Sequence, residues 1–306
     1  MILVAGEALF DLVVSFDGSI EAHPGGAPFN VCCTIARLER EAAFLGALSD
    51  DRFGTTLGGA LASEGVDLSA VVNVTRPTTI ALADLDETGA ATYHFYADGT
   101  SAPAVDEAAA AAALQLAPTA LHVGTLGLVL EPLATATKAL VDGVAGDVLV
   151  LLDPNCRPTV TTDRDRYLET VAHCAQRADV IKVSDEDLAF LAPGGESVQA
   201  TRSLLRPGGV GLVTRGADAV TIVTAALTVD VAVPQVTVVD TVGAGDGFGG
   251  AFLAYWDEHA LGREDVHDLE RVIEGVRFGV QVAAMICERA GADPPRRSEV
   301  EARVAP

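Results

Sequence analysis

The chain has 306 residues and is 49% hydrophobic, enough to bury one large α/β domain or two smaller ones. Its 20 basic side chains face 43 acidic ones, a net charge of −23. That balance excludes nucleic acid and an anionic membrane as partners, because both require a basic face.

Phosphate ligands stay open, since backbone amides and Mg²⁺ can carry that charge. The five cysteines, Cys32, Cys33, Cys156, Cys174 and Cys287, are odd in number and contain no CxxC spacing. They read as free thiols in a reducing, cytoplasmic setting. The first residues lack the basic region of a signal peptide, and no apolar run is long enough to cross a bilayer.

In chain order, residues 2–5 form a buried first strand and residues 9–14 a second, with Glu7 and Asp11 flanking the turn. The loop His23-Pro24-Gly25-Gly26-Ala27-Pro28-Phe29-Asn30 opens a helix through Val31, Ile35 and Leu38, and Pro28 suits its first turn. Residues 53–63 form the next helix. Strands follow at 71–74, 79–85 and 91–96, the last two joined by a hairpin turn at 86–89. These interrupt an otherwise alternating pattern and read as a small separate sheet. An alanine-rich helix covers 107–116.

From residue 121 the pattern is strand–helix–strand. Strands at 121–124, 148–152, 180–183, 210–213 and 220–223 alternate with helices at 133–144, 165–177, 185–191 and 197–205. This predicts a parallel sheet covered on both faces. Ligands of such sheets sit at the carboxyl ends of the strands, where Asp153, Ser184 and Gly216 fall. A long last helix is expected from 265 to about 289.

The stretch with the most chemistry is Asp240-Thr241-Val242-Gly243-Ala244-Gly245-Asp246-Gly247, after the β-branched run 236–239 and before a helix carrying Phe252, Leu253 and Trp256. A glycine turn at a strand-to-helix junction leaves amides unpaired at the positive end of the helix dipole, which suits phosphate. Asp246 inside an anion site suggests a base beside a phosphate under attack. Close packing alone would also use these glycines. A dinucleotide-binding turn would come earlier and use G-x-G-x-x-G. Ser184-Asp185-Glu186-Asp187 admits two readings, a helix cap or a hydrated Mg²⁺ site. A Walker loop, H-R-D and D-F-G strings, H-E-x-x-H and a G-x-S-x-G elbow are all missing. The six histidines show no metal-ligand spacing.

Two segments together resemble a known family. Gly25 to Asn30, continued through Phe44-Leu45-Gly46 and Asp50-Asp51-Arg52-Phe53-Gly54, is similar to the N-terminal signature of the ribokinase-like (phosphofructokinase-B type) sugar kinases. Asp240 to Asp246 is similar to their C-terminal signature, D-T-x-G-A-G-D. Within the family the chain looks most like a bacterial fructokinase, through Gly6 to Asp11, Phe95-Tyr96, Asp153-Pro154-Asn155 and Lys182-Val183-Ser184. The resemblance spans nearly the whole chain.

It implies a single three-layer αβα domain over 1–306, with a mostly parallel central sheet and a small β lid from about 9–24 and 71–99. It implies ATP and Mg²⁺ as cofactors, a small sugar as partner, and Asp246 as the base. The amides of Gly243, Ala244 and Gly245 would hold the transferred phosphoryl group. Asp11, Gly25, Gly26, Asn30, Glu131 and Arg157 would serve the sugar. Ser184, Thr214 and Gly216 would serve the nucleotide, and Asp187 the metal. Asp240 and the Gly291 loop lie where many relatives bind potassium. An edge of the lid could pair with a second copy.

Ala97, Thr159-Val160, Asp187 and Arg215 depart from the family pattern. The first two bear on the sugar, the last two on nucleotide affinity. The alternatives are a 2-keto-3-deoxygluconate kinase and a non-catalytic sugar- or nucleotide-binding relative. A dinucleotide oxidoreductase lacks its early glycine fingerprint.

Overall fold

Strands that are apolar at every position need cover on both faces, and the chain supplies it. A computed structural model describes residues 1–88 and 91–304. The first third contains β1 (Ile2–Ala5), β2 (Leu9–Val14), β3 (Ile20–Gly25), α1 (Ala27–Arg37), β4 (Ala42–Leu45), β5 (Ala47–Ser49), α2 (Arg52–Ser63), β6 (Val72–Val74), β7 (Ile80–Leu85) and β8 (Ala91–Tyr96). The middle contains α3 (Glu107–Ala113), β9 (Ala120–Gly124), α4 (Leu133–Gly143), β10 (Leu149–Asp153), α5 (Arg164–Ala175), β11 (Val180–Ser184), α6 (Asp185–Leu191) and α7 (Ser197–Leu204). The last part contains β12 (Val210–Thr214), β13 (Val220–Val223), β14 (Thr228–Val231), α8 (Ala244–Glu258), α9 (Leu269–Cys287) and α10 (Arg297–Val304).

The main sheet has the order β14-β13-β12-β11-β10-β9-β1-β4. It is parallel from β4 to β12, while β13 and β14 run antiparallel at one edge. Alternate strand residues feed two cores. Ile2, Val4, Leu149, Leu151, Val180 and Leu212 meet α1, α2, α8 and α9. Leu3, Val123, Val150, Leu152, Ile181 and Val213 meet α3 to α7. This is the expected αβα architecture, its three layers built from period-two burial on the inner strands.

From β1 the chain runs to β4 on one side, whereas β9 lies on the other. The crevice between the carboxyl ends of β1 and β9 is therefore the topological switch point, where ligands of open α/β sheets bind. Over that end stands the second sheet, β3-β2-β7-β8. Leu9 and Ala81 from it bury against Leu126, with Phe95, Leu130 and Val160 packed around them.

Several expectations need correction. Residues 72–74 do not join the small sheet; β6 pairs in parallel with β5, on a two-stranded ladder of its own. The run 236–239 is not a strand: Val238 and Val239 are exposed, and no ladder partner reaches them. β13 is antiparallel because only a short turn separates it from β12, too little for a crossover. The last helix starts later than expected, at Leu269 after a 3₁₀ turn (Arg263–His267), with the Asp268 side chain capping the Glu270 amide. β3, β4, β5, β14 and α10 were not anticipated. In the hairpin turn at 86–89, Gly89 lies outside the described residues.

Candidate active site

The glycine turn opens α8 as its local chemistry demands. Gly243 is the N-cap with φ of 76°, a left-handed conformation that L side chains resist. A side chain there would also strike Ala292, so the loop after α9 is packed onto the turn. The Asp240 carboxylate ties the same pieces together, accepting from the Val242 amide at 3.0 Å and from the Gly291 amide at 2.8 Å. The Ala244 amide, expected to face a ligand, donates instead to Thr241 O at 3.2 Å. The amides of Gly243, Gly245 and Asp246 have no acceptor among the described residues. Such amides at a helix N-terminus are open to an anion.

Asp246 sits in the first turn of α8, and Asn30 Nδ2 donates to its Oδ2 at 2.8 Å. This contact spans 216 residues of sequence and joins the two signature segments in one place. Its other oxygen, Oδ1, has no partner among the described residues. Asn30 is held in the first turns of α1, and its carbonyl accepts from Thr34 Oγ1 at 2.8 Å. Behind α1, β2 pairs with β3, and Asp11 lies against Gly25. A side chain at Gly25 would land on Asp11 Oδ2 and displace that carboxylate.

The field at this corner is strongly negative. Burial, then the Asp246 charge, pushes the Asp11 carboxyl up to about 6, against the opposing pull of Arg157 and His23. Glu7 is 1% exposed, its Oε2 without a partner, and burial pushes it up to about 8. Arg157 is the cation whose field reaches both carboxyls. Its Nη1 is committed to the Asn155 carbonyl and side chain, at 3.1 and 2.6 Å, and to Cys156 O.

The remaining expected residues divide. Thr214 and Ser184 end the adjacent strands β12 and β11 in register, and Gly216 follows in an open turn. Arg215 turns away to Thr221 Oγ1 at 2.6 Å and to Asp185 at 3.6 Å. Ser184 and Asp187 form a complete capping box. Asp187 Oδ2 accepts from the Ser184 amide and hydroxyl, and its Oδ1 from the Cys156 amide at 2.6 Å. The cap reading of this segment is the one the geometry favours. Glu131 is engaged by Arg166 at 2.5 Å and by the Thr135 amide at 3.2 Å. No cluster of three or more His, Cys, Asp or Glu able to hold a metal occurs among the described residues.

A carboxylate in the first turn of a helix with bare amides, bonded to a polar loop near a switch-point crevice, is an arrangement that suits phosphoryl transfer. A family model described as "pfkB family carbohydrate kinase" matches residues 2–298. The chain belongs to the pfkB family of carbohydrate kinases.

Among its relatives, a fructokinase of Rhizobium leguminosarum bv. trifolii is 34% identical over 259 residues, covering 83% of this chain and 79% of that protein. A solved fructokinase of Xylella fastidiosa with bound ATP superposes with a TM-score of 0.89 at 27% identity, covering 98% of this chain and 97% of the other. A fructokinase of Vibrio cholerae bound to fructose, ADP and calcium gives 0.85 at 26% identity, covering 99% and 98%. The chain is an ATP-dependent sugar kinase of the fructokinase type.

Three polar side chains lie beneath the glycine turn, and of these the sequence marked only Asp153, as a strand end where ligands sit. His122, Asp153 and Lys182 occupy strand positions whose period-two neighbours, Ala120, Leu151 and Val180, face the core shared with α8. Lys182 Nζ donates to Asp153 Oδ2 at 2.7 Å, and both are buried. The available signal was a lysine, one of only two in the chain, at an inward position of a core strand. Among the described residues no helix is long and apolar enough to cross a membrane.

Proposed function

We propose that this kinase phosphorylates fructose, and that Asp246 is its general base. The observation that carries the reading is the 2.8 Å contact between Asn30 and Asp246, which puts the sugar loop against the anion site. Asp246 Oδ1 takes the proton from the sugar hydroxyl as its oxygen bonds to the γ-phosphorus. The bond from that phosphorus to the ADP oxygen breaks, and the pair leaves with ADP. Charge growing on the transferred group is held by the free amides of Gly243, Gly245 and Asp246, so catalysis is positioning plus electrostatics. Asp11, Gly25, Gly26 and Asn30 bind the sugar hydroxyls, while Ser184, Thr214 and Gly216 line the nucleotide. The sheet β3-β2-β7-β8 acts as the lid.

Mg²⁺, when bound with ATP, would screen the charge of its phosphates. Asp187 does not fit as a direct ligand, because its carboxylate already serves three protein donors. Both oxygens of Asp240 also bind amides, so a potassium ion at this loop would rest on carbonyls. Neither ion is assigned a step. Phe16, Ile20, Tyr93 and Tyr96 are exposed on the lid sheet or its turn, where a second copy would cover them. Light scattering at assay concentration checks that dimer, and a strict monomer rejects it. The buried thiols suit a cytoplasmic enzyme.

The choice of sugar follows from charge. Asp11 and Asp246 outnumber Arg157, whose Nη1 is already bonded to its own loop, while the buried Glu7 keeps its proton up to about pH 8 and adds no charge. A sugar carboxylate buried there would lack a free bidentate partner. With purified enzyme and ATP, kcat/KM for fructose should exceed that for 2-keto-3-deoxygluconate at matched salt. A clear preference for the acid moves the enzyme to the rival substrate. Absence of turnover across a sugar panel would mark a non-catalytic relative.

A further inference from the structure

The ammonium of Lys182 has three N–H donors, and Asp153 Oδ2 accepts one of them at 2.7 Å. No other acceptor for it occurs among the described residues. Asp153 Oδ1 is buried without a donor, and neither ring nitrogen of the neighbouring His122 has a partner. Lys182 is 4% exposed. Unspent hydrogen-bonding capacity at this depth is costly unless something uses it.

The ammonium also lies directly under the glycine turn. A Cβ built on Gly245 would come within 3.4 Å of Lys182 Nζ, and one built on Gly249 within 3.9 Å of its Cδ. For folding alone this is the wrong sign of charge, since a helix N-terminus favours an anion. The fold gains nothing by placing unpaired N–H donors beside bare amides. An anion rich in oxygen, resting on the turn, would complement both.

We propose that Lys182, clamped by Asp153, is a positioning residue that supplies fixed positive charge beneath the Gly243–Gly245 turn as the phosphoryl group transfers. The inference rests on the reading of this turn as the phosphoryl site. The surrounding charges agree with it. Burial by itself would lower the Lys182 pKa, but Asp153, Asp187 and Asp246 outweigh it and hold the ammonium charged. His122 is driven down to about 3 by burial and by Lys182, so it stays neutral and does not compete for the anion. When the phosphoryl charge develops, the ammonium is already in place and needs no reorganisation.

A double variant, Lys182→Met with Asp153→Leu, removes the pair without stranding a buried charge. We expect it to keep the wild-type unfolding midpoint and sugar affinity while kcat falls about 10²-fold. Lys182→Arg should retain a larger share of kcat than the double variant. A folded double variant with kcat within about threefold of wild type, far short of one lost oxyanion donor, reduces the pair to a strut between β10 and β11.

A second measurement uses the wild-type enzyme and needs no turnover. The chain contains only Lys138 and Lys182, so ¹⁵N-lysine labelling yields two side-chain resonances. The Lys182 ammonium signal should shift between the ADP complex and that of the β,γ-imido ATP analogue, with Lys138 unmoved. An identical Lys182 signal in the two complexes overturns the proposal. Because no sugar is converted, that result is distinct from a wrong choice of substrate.

Discussion

Two buried aspartates on neighbouring strands show what the two ends of the main sheet are for. Asp179 stands just before β11, and Asp153 closes β10 at the opposite end. Asp179 is completely buried, and its oxygens are filled. Oδ1 accepts from Arg206 and from Arg263 Nε at 2.7 Å, and Oδ2 from Arg177 and the Val150 amide. The unpartnered buried side-chain atom in that cluster is Arg206 Nε. Asp153 is 2% exposed yet meets a single lysine and keeps one oxygen bare. Around it Glu7, His122 and Thr125 also hold orphaned polar atoms. A carboxylate whose partners are complete ties a fold together. A group of incompletely paired atoms at the carboxyl ends of the strands is capacity held for a ligand, at some cost in stability.

The comparison breaks most visibly at Asp246. Asp246→Asn should lower kcat by about 10²–10⁴-fold, the range for a lost general base, while the unfolding midpoint stays within error of wild type. A loss in kcat of less than about tenfold, below that range, would remove Asp246 from the role of base.

At the other end the effects should invert. Asp179→Ala leaves Arg177, Arg206 and Arg263 facing one another without their anion. We expect a loss of about 3–5 kcal/mol in urea-unfolding free energy, the cost of breaking a buried charged set. The kcat of the folded fraction should stay within about twofold, since no oxyanion donor is touched. A large fall in kcat without destabilisation would contradict the division drawn here.

The smallest effect sharpens the comparison through pH. Burial raises the Glu7 carboxyl from 4.5 to about 8, so between those values the folded enzyme keeps a proton that the unfolded chain has released. The folded state binds more protons, and stability therefore falls as pH rises through this window. Asp11, raised from 3.8 to about 6, adds a fall of the same sign at lower pH. Glu7→Gln should flatten the decline between about pH 6 and 8, where one such group contributes at most about 1.4 kcal/mol per pH unit. Parallel stability curves for wild type and variant over that range would show that Glu7 does not titrate as its burial demands.

What the sequence determined by itself was local or periodic. The turn at Gly243 was legible because a glycine turn opening a helix exposes amides through backbone geometry alone. Short apolar runs alternating with helical stretches located the inner strands, and Pro28 and Ser184 located helix starts. Resemblance in two distant segments added the family and the αβα architecture. Only the tertiary structure decided which partners those elements meet. Residues 236–239 have strand-like residues but no neighbouring strand to complete a ladder, so propensity failed there. Residues 72–74 found β5 instead of the small sheet, because strand pairing is a non-local choice. That the Cys156 amide, 31 residues from Asp187, occupies its carboxylate was visible only in the tertiary structure. Lys182 and Asp153 are 29 residues apart, on strands that each read as plain core. Their meeting under Gly245 depends on strand order, register and the seating of α8. Spacing along one chain does not encode these, because they are settled by how the layers pack.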